Sequence, residues 1–244
     1  MRHYFIQDDG LLPDFCYEAL RAAEYANWRD PGSVFVHRTR NPGLIGPLCP
    51  GTPIGSVEFV EQFARTRGVL GMPAKPLNVP GALVDTDLVG RPIWKGVTAA
   101  TVPAALPAQV FAKSAARYKG FVDIVDRASL PEALAAHGPL DLSAVVDFGD
   151  EWRAFVHAGQ LVGLHCYSGL FSAVPATSFI EKAISAISSA LPKLRSYTID
   201  IGFVGDTEAI VEVHPFVACG LYGFRDYRIL LSMFDHGYGW LLGR

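Results

Sequence analysis

The sequence predicts an α+β protein in two parts, a small α/β N-terminal unit followed by a larger portion of antiparallel strands and short helices. Three observations carry that reading. The run YTIDIGFVGDTEAIVEVH at 197–214 places two β-branched stretches around a short polar break containing Gly, the pattern of a hairpin. Helical stretches and short strand-like runs occur both before residue 75 and after residue 109. Between them, residues 72–107 are rich in Pro and Gly and lack periodicity, which marks a connection. The division falls at 1–107 for the N-terminal unit with its linker and 108–244 for the remainder.

Composition narrows the function classes. Half of the 244 residues are hydrophobic, and a chain of this length buries roughly 70–75% of its extended surface. The net charge of -3 argues against nonspecific nucleic-acid binding as the main activity. Cys16, Cys49, Cys166 and Cys219 are widely spaced with no C-x-x-C pair, so they read as reduced packing residues. No apolar run of signal or membrane-spanning length occurs, so the expectation is a cytoplasmic protein with no membrane partner.

Taken in order, Leu12-Pro13 leads into a helix, DFCYEALRAAEYA, and Val34-Phe35-Val36 reads as a strand. In PLCPGTPIGSVEFVEQFARTRG, Ser56 is the expected N-cap and Gly68 the helix end. Gly51 and Gly55 either shape a turn or frame an anion site at that helix start, without the ending of a phosphate-binding P-loop. Arg91 and Lys95 interrupt the connection, as solvated charges or as ligands. QVFAKS alternates as a strand with Phe111 and Lys113 on one face, and Lys119 sits in the flexible-looking AARYKGF behind it. Such lysines either reach to solvent or clamp phosphates as point charges.

Ser129-Leu130-Pro131-Glu132 and Ser178-Phe179-Ile180-Glu181 both have the form of a capping box, opening the helices SLPEALAAH and FIEKAISAISSAL. LSAVVDF and EWRAFVHA read as two strands around Gly149-Asp150, with QLVGLHCYSG as a third. Glu151, Arg153, Phe155 and His157 share one face of the middle strand. Arg153, among aliphatic and aromatic neighbours, should be paired with a carboxylate or reach a phosphate. RDYRILLSMFDHGYGWLL reads as a closing helix through His236.

The hairpin carries the chemistry. A three-residue loop, Gly205-Asp206-Thr207, closing on Val204 and Glu208 sets Asp200 opposite Glu212. Thr198, Asp200, Gly202, Glu208, Glu212 and His214 then share one face, and Ile199, Ile201, Phe203, Ala209, Val211 and Val213 the other. Like charges directly opposed repel, so something positive belongs between Asp200 and Glu212 unless both point to water. Two hard oxygen ligands with few other anchors suit Mg²⁺.

Four segments in this order, VFAKSAARYKGF, FGDEWRAFV, YTIDIGFV and VEVH, resemble the R2K clade of the ATP-grasp superfamily over about residues 108–224. The resemblance implies an ATP-grasp fold, in which two α+β subdomains clasp a nucleotide, with the N-terminal unit as the family's smaller preceding domain. It implies ATP and Mg²⁺ as cofactors. Lys113 would contact the α- and β-phosphates and Lys119 would lie in the loop covering them. Val145, Val146 and Asp147 would pass beside the adenine, with Glu151 on the same nucleotide side. Arg153 would face the transferring phosphoryl group, and Asp200 and Glu212 would bind magnesium. His214 stands where most of these enzymes have asparagine, as a metal ligand, a base, or a ring hydrogen-bonded at a strand end. By the family pattern His165, Tyr167, Cys219, Tyr222 and Arg225 lie nearby. The implied activity is a carboxylate–amine ligase acting through an acyl phosphate on a carboxylate substrate and an amine acceptor, whether amino acid, peptide or protein terminus. A phosphotransferase and a nucleotide-binding module without chemistry are the alternatives.

Overall fold

The structure, a computed structural model, describes residues 1–10, 12–46, 50–69 and 75–244. Cys49 and part of the Pro/Gly loop before Gly51 lie outside the described residues, as does the start of the 72–107 connection. The N-terminal unit is a three-stranded parallel sheet in the order β2-β1-β3, with β1 at Arg2–Gln7, β2 at Val34–Thr39 and β3 at Thr52–Ile54. β1 is central, a strand the sequence reading left unassigned. Its Tyr4-Phe5-Ile6 run is wholly buried, the unbroken apolar signature of a parallel strand covered on both faces.

Helix α1, Asp14–Arg29, runs longer than expected, and α2, Val57–Thr66, starts where Ser56 caps it by accepting from the Phe59 amide at 3.2 Å. The other capping predictions fail. Ser129 lies in the helical region of backbone space instead of the extended conformation an N-cap needs, and α3, Leu130–His137, has no side-chain cap. Helix α4, Thr177–Ala190, begins one residue before Ser178, and the Glu208 carboxylate accepts from the Ala176 amide ahead of it.

Two four-stranded sheets make up the rest. One has the order β4-β7-β5-β6, from Ile93–Val97, Leu140–Ala144, Gln109–Ser114 and Val122–Asp126. The other has the order β11-β10-β8-β9, from Thr207–Pro215, Ser196–Val204, Glu151–His157 and Gln160–Ser168. The segments around Gly149-Asp150 therefore do not pair with each other: β7 ends one sheet's contribution and β8 opens the other. The stretch read as a bare connection is also part of the core. It supplies β4, and Val79, Leu83, Leu88 and Val89 pack with Ile199, Ile201 and Ile210.

Helix α4 lays Ile180, Ala183, Ile184 and Ile187 on the same cluster, where each isoleucine contributes about 1.5–3 kcal/mol by burial. The closing helix α5, Leu230–Leu241, extends past His236. Leu230, Leu231, Met233 and Phe234 join it to α1 and to Phe155, Phe216 and Phe224, binding the N-terminal unit to the β8–β11 sheet. Among the described residues no helix is long and apolar enough to cross a membrane.

Candidate functional site

The hairpin register is met by a different route from the one expected. The turn has two residues, Gly205-Asp206, so Val204 pairs with Thr207 and Ile201 with Ile210. A bulge at Val211 then restores Asp200 opposite Glu212 and Thr198 opposite His214. Below the bulge the faces exchange: Glu208 lies opposite Phe203 and Ala209 opposite Gly202. Gly202 is required there, because a Cβ would sit 2.6 Å from the ring of Phe148.

Strand pairing lines up Glu212, Asp200, Arg153 and His165 in one row across all four strands. The positive charge expected beside the two carboxylates comes from the chain itself. Arg153 Nε and Nη2 donate to Asp200 Oδ1 and Oδ2, both at 2.7 Å, and its Nη1 donates to the Gly220 carbonyl at 3.0 Å. Arg153 is 7% and Asp200 3% exposed. Burial alone would lower the arginine, but the hydrogen bonds and charge of Asp200 hold it above its ordinary value. Burial pushes the Asp200 carboxyl up while the guanidinium pulls it down; since arginine does not release its proton, the two form an ion pair. Lys113 reaches from β5 of the opposite sheet to an ion pair with Glu212. Against the cost of burial, the Lys113 charge holds the Glu212 carboxyl below its usual range.

His214 Nδ1 lies 2.6 Å from the Pro215 carbonyl, which can only accept, so Nδ1 carries the proton and Nε2 the lone pair. Burial lowers its pKa to about 4, which keeps the ring neutral near pH 7. The ring of Tyr118 packs 5.2 Å from it, centroid to centroid, with a buried hydroxyl that has no hydrogen-bond partner among the described residues.

A cavity of about 290 Å³ opens between the two sheets. Of the residues given a site role from sequence, Lys113, Val145, Val146, Glu151 and Glu212 line it. Asp147 is exposed and Lys119 is exposed at a positive φ of 49°; neither belongs to the lining. Backbone and Ser56 hydrogen bonds hold the Glu58 carboxyl in the first turn of α2 below its ordinary value, and the charges of Lys119 and Arg117 lower it further. On the far side of Arg153, Tyr167 and Tyr222 stack at 5.0 Å, with the guanidinium 5.5 and 5.0 Å from their centroids. Tyr167 donates to Glu151 at 2.8 Å. His165 meets Phe155 edge-on, Arg225 pairs with Glu18 at 3.0 Å, and burial pushes the Cys219 thiol up to about 12.

The sequence reading gave no definite role to three further residues at the cavity, Asn78, Arg91 and Lys95. Lys95 pairs with Asp141, whose carboxylate also accepts from the Asn78 side chain at 2.7 Å and the Gly96 amide at 2.8 Å. The short alternating run Ile93-Trp94-Lys95 is the one local signal that could have placed Lys95 on a strand.

Among the described residues no group of three or more His, Cys, Asp and Glu is arranged to hold a metal ion. The opposed Asp200 and Glu212 are therefore a two-carboxylate donor set. That suits a hard cation such as Mg²⁺, which completes its shell with water and phosphate oxygens, and does not suit a closed zinc site.

Two sheets facing each other across a cavity, with Lys95 and Lys113 reaching in from one and Glu212 from the hairpin of the other, form an α+β architecture of the ATP-grasp class. The chain belongs to the family described as ATP-grasp domain, R2K clade family 2, which matches residues 88–230, more than half of its length. Solved structures agree on the fold. An ATP-grasp RimK domain protein from Sphaerobacter thermophilus superposes with a TM-score of 0.58 at 14% identity, covering 100% of both chains. D-cycloserine synthetase gives 0.58 at 12% identity over 99% of this chain and 100% of that one. D-alanine–D-alanine ligase from Bacillus anthracis gives 0.55 at 11% identity over 100% of this chain and 99% of that one. No curated protein matches the sequence.

Proposed function

We propose that the protein is an ATP-dependent carboxylate–amine ligase. The observation that carries this reading is the row Glu212, Asp200 and Arg153 beside the cavity, met by Lys113 from the facing sheet. ATP would lie between the sheets, with its base beside Val145, Val146 and Asp147 and near Glu151. Magnesium would be held by Asp200 and Glu212 and would neutralise charge on the phosphates. Lys113 and Arg153 counter charge on the transferring oxygens, with Lys119 brought over them by its loop, so the chain contributes mainly positioning and electrostatics. A substrate carboxylate oxygen attacks the γ-phosphorus while its bond to ADP breaks, giving an acyl phosphate. An amine nitrogen then attacks the acyl carbon, phosphate leaves, and the nitrogen sheds a proton. The neutral Nε2 of His214 has the lone pair to take it.

The first test is Glu212→Gln, which keeps the shape of the hairpin. Binding of a non-hydrolysable ATP analogue is measured by calorimetry with and without Mg²⁺, and ADP release is followed with ATP. Magnesium-dependent binding and turnover in the wild type, both lost in the variant, are expected. Undiminished turnover in the variant would sink the assignment.

A further inference from the structure

The two carboxylates share a face only because of one extra residue. Running up from the two-residue turn, a regular ladder would pair Ile201 with Ile210, then Asp200 with Val211, and would leave Glu212 opposite Ile199 on the apolar face. Val211 is the residue that prevents this, and the bulge it creates leaves backbone groups outside the ladder. A bulge that decides which way a site residue points needs something to hold it.

Arg91 is placed to do so. Its Nη1 donates to the Ile210 carbonyl at 2.8 Å and to the Val89 carbonyl at 3.0 Å, and its Nη2 donates to the Val211 carbonyl at 3.0 Å. One planar fork thus spans the two consecutive carbonyls of the bulge, which a single ammonium could not do. The backbone leading to it is shaped for that approach. Gly90 has φ +61°, and a Cβ there would come 2.8 Å from the Cβ of Ala209 on β11. Leu88 accepts from the Ile210 amide at 2.7 Å. Phe148, the ring that covers Gly202, lies 4.9 Å from the guanidinium.

We propose that Arg91 is a positioning residue: by pinning the bulge at Ile210 and Val211 it keeps Glu212 facing Asp200, and so sets the affinity of the site for magnesium-bound nucleotide. This rests on the nucleotide-site reading above. Because Arg91 also lines the cavity, the rival is direct contact with the nucleotide, and the two differ in what repairs the loss.

The test compares wild type, Arg91→Met, and Arg91→Met combined with deletion of Val211, titrating the non-hydrolysable ATP analogue across a range of Mg²⁺ concentrations. Deleting Val211 makes the ladder regular while leaving Glu212 opposite Asp200, so the pin is no longer needed. Arg91→Met should cost about tenfold or more in affinity at saturating Mg²⁺, leave the magnesium-free affinity unchanged, and raise the Mg²⁺ concentration at half-effect; the deletion should restore most of the loss. Unchanged magnesium-dependent binding in Arg91→Met overturns the proposal. So does an equal loss with and without magnesium, the mark of direct contact, and this comparison decides even if the deletion variant does not fold. A folded double variant that stays weak overturns it as well. No magnesium-dependent binding by the wild type would instead bring down the nucleotide reading, and this inference with it.

Discussion

The two sheets that face the cavity are built to opposite specifications. In the β8–β11 sheet, Tyr197 to Phe203 are buried without a break, the middle of β8 is buried too, and the charges set into it are matched within the protein. In the other sheet β5 alternates buried and exposed positions, and β6 leaves Val122 61% and Ile124 49% exposed. A charge can be kept in a low-dielectric interior only if its partners are fixed, so the first sheet gains precision from being enclosed. Apolar contact is non-directional and tolerates approximate placement, so the second sheet can carry its contact residues at an edge.

Separating the Arg153–Asp200 pair should break the first sheet's design most severely. Arg153→Met leaves a carboxylate 3% exposed without its bidentate partner, and loss of one member of such a pair costs about 3–5 kcal/mol. Urea denaturation with Arg153→Met, Asp200→Leu and the double variant measures this. Each single variant should lose that amount and the double variant should recover much of it. A single-variant cost below about 1 kcal/mol would mean that the pair behaves as a solvated surface contact.

The same contrast governs what could be read from sequence. The β10–β11 hairpin was legible because a two-residue period sorts Ile199, Ile201 and Val213 from Asp200, Glu212 and His214. Its mechanism was not, since one residue added to the turn and one added to the strand shift the pairing beyond them by the same step. That is why Asp200 was matched correctly while Glu208 and Ala209 were assigned to the wrong faces. Asn78 went unmarked, and Arg91 and Lys95 stayed open between solvated charge and ligand, for another reason. They sit in a Pro- and Gly-rich stretch without periodicity, and their roles come from partners distant in sequence: Asp141, Ile210 and Val211. The capping boxes misled because a Ser-x-x-Glu spacing says nothing of whether Ser129 adopts the backbone conformation that lets it cap.

A second, smaller effect should appear with pH at the far end of the site face of the enclosed sheet. His157 Nδ1 lies 2.9 Å from Ser196 Oγ, which lies 3.0 Å from His236 Nδ1, and the two rings stack at 5.2 Å. Burial, then the nearby Arg195 charge, lowers both imidazoles, outweighing the opposing pull of Asp226 on His157 and of Asp235 on His236; the His157 ring lowers His236 as well. Groups held below their unfolded value bind fewer protons in the native state, so their contribution is complete above about pH 6.5 and is lost as pH falls below it. Urea midpoints should therefore decline from pH 7 to pH 5, and His157→Gln with His236→Gln should flatten that decline. An equal slope in the double variant would assign the effect to other groups.

The smallest stability change should come from the edge of the open sheet, where binding and folding can be separated. Ile124 on β6 pairs with Phe111 on β5, lines the cavity and is half exposed. Ile124→Ala removes apolar surface that the folded chain leaves partly in water, so the loss of stability should stay below about 1 kcal/mol. A bound nucleotide would cover that surface, and the variant should then bind the ATP analogue about fivefold more weakly, since burial of about one methyl-sized group contributes about 1 kcal/mol. A larger loss of stability than of affinity would reverse the distinction between the sheets, because Ile124 would then be serving the core. A loss of affinity with the midpoint unmoved would show a contact surface that the fold itself does not need.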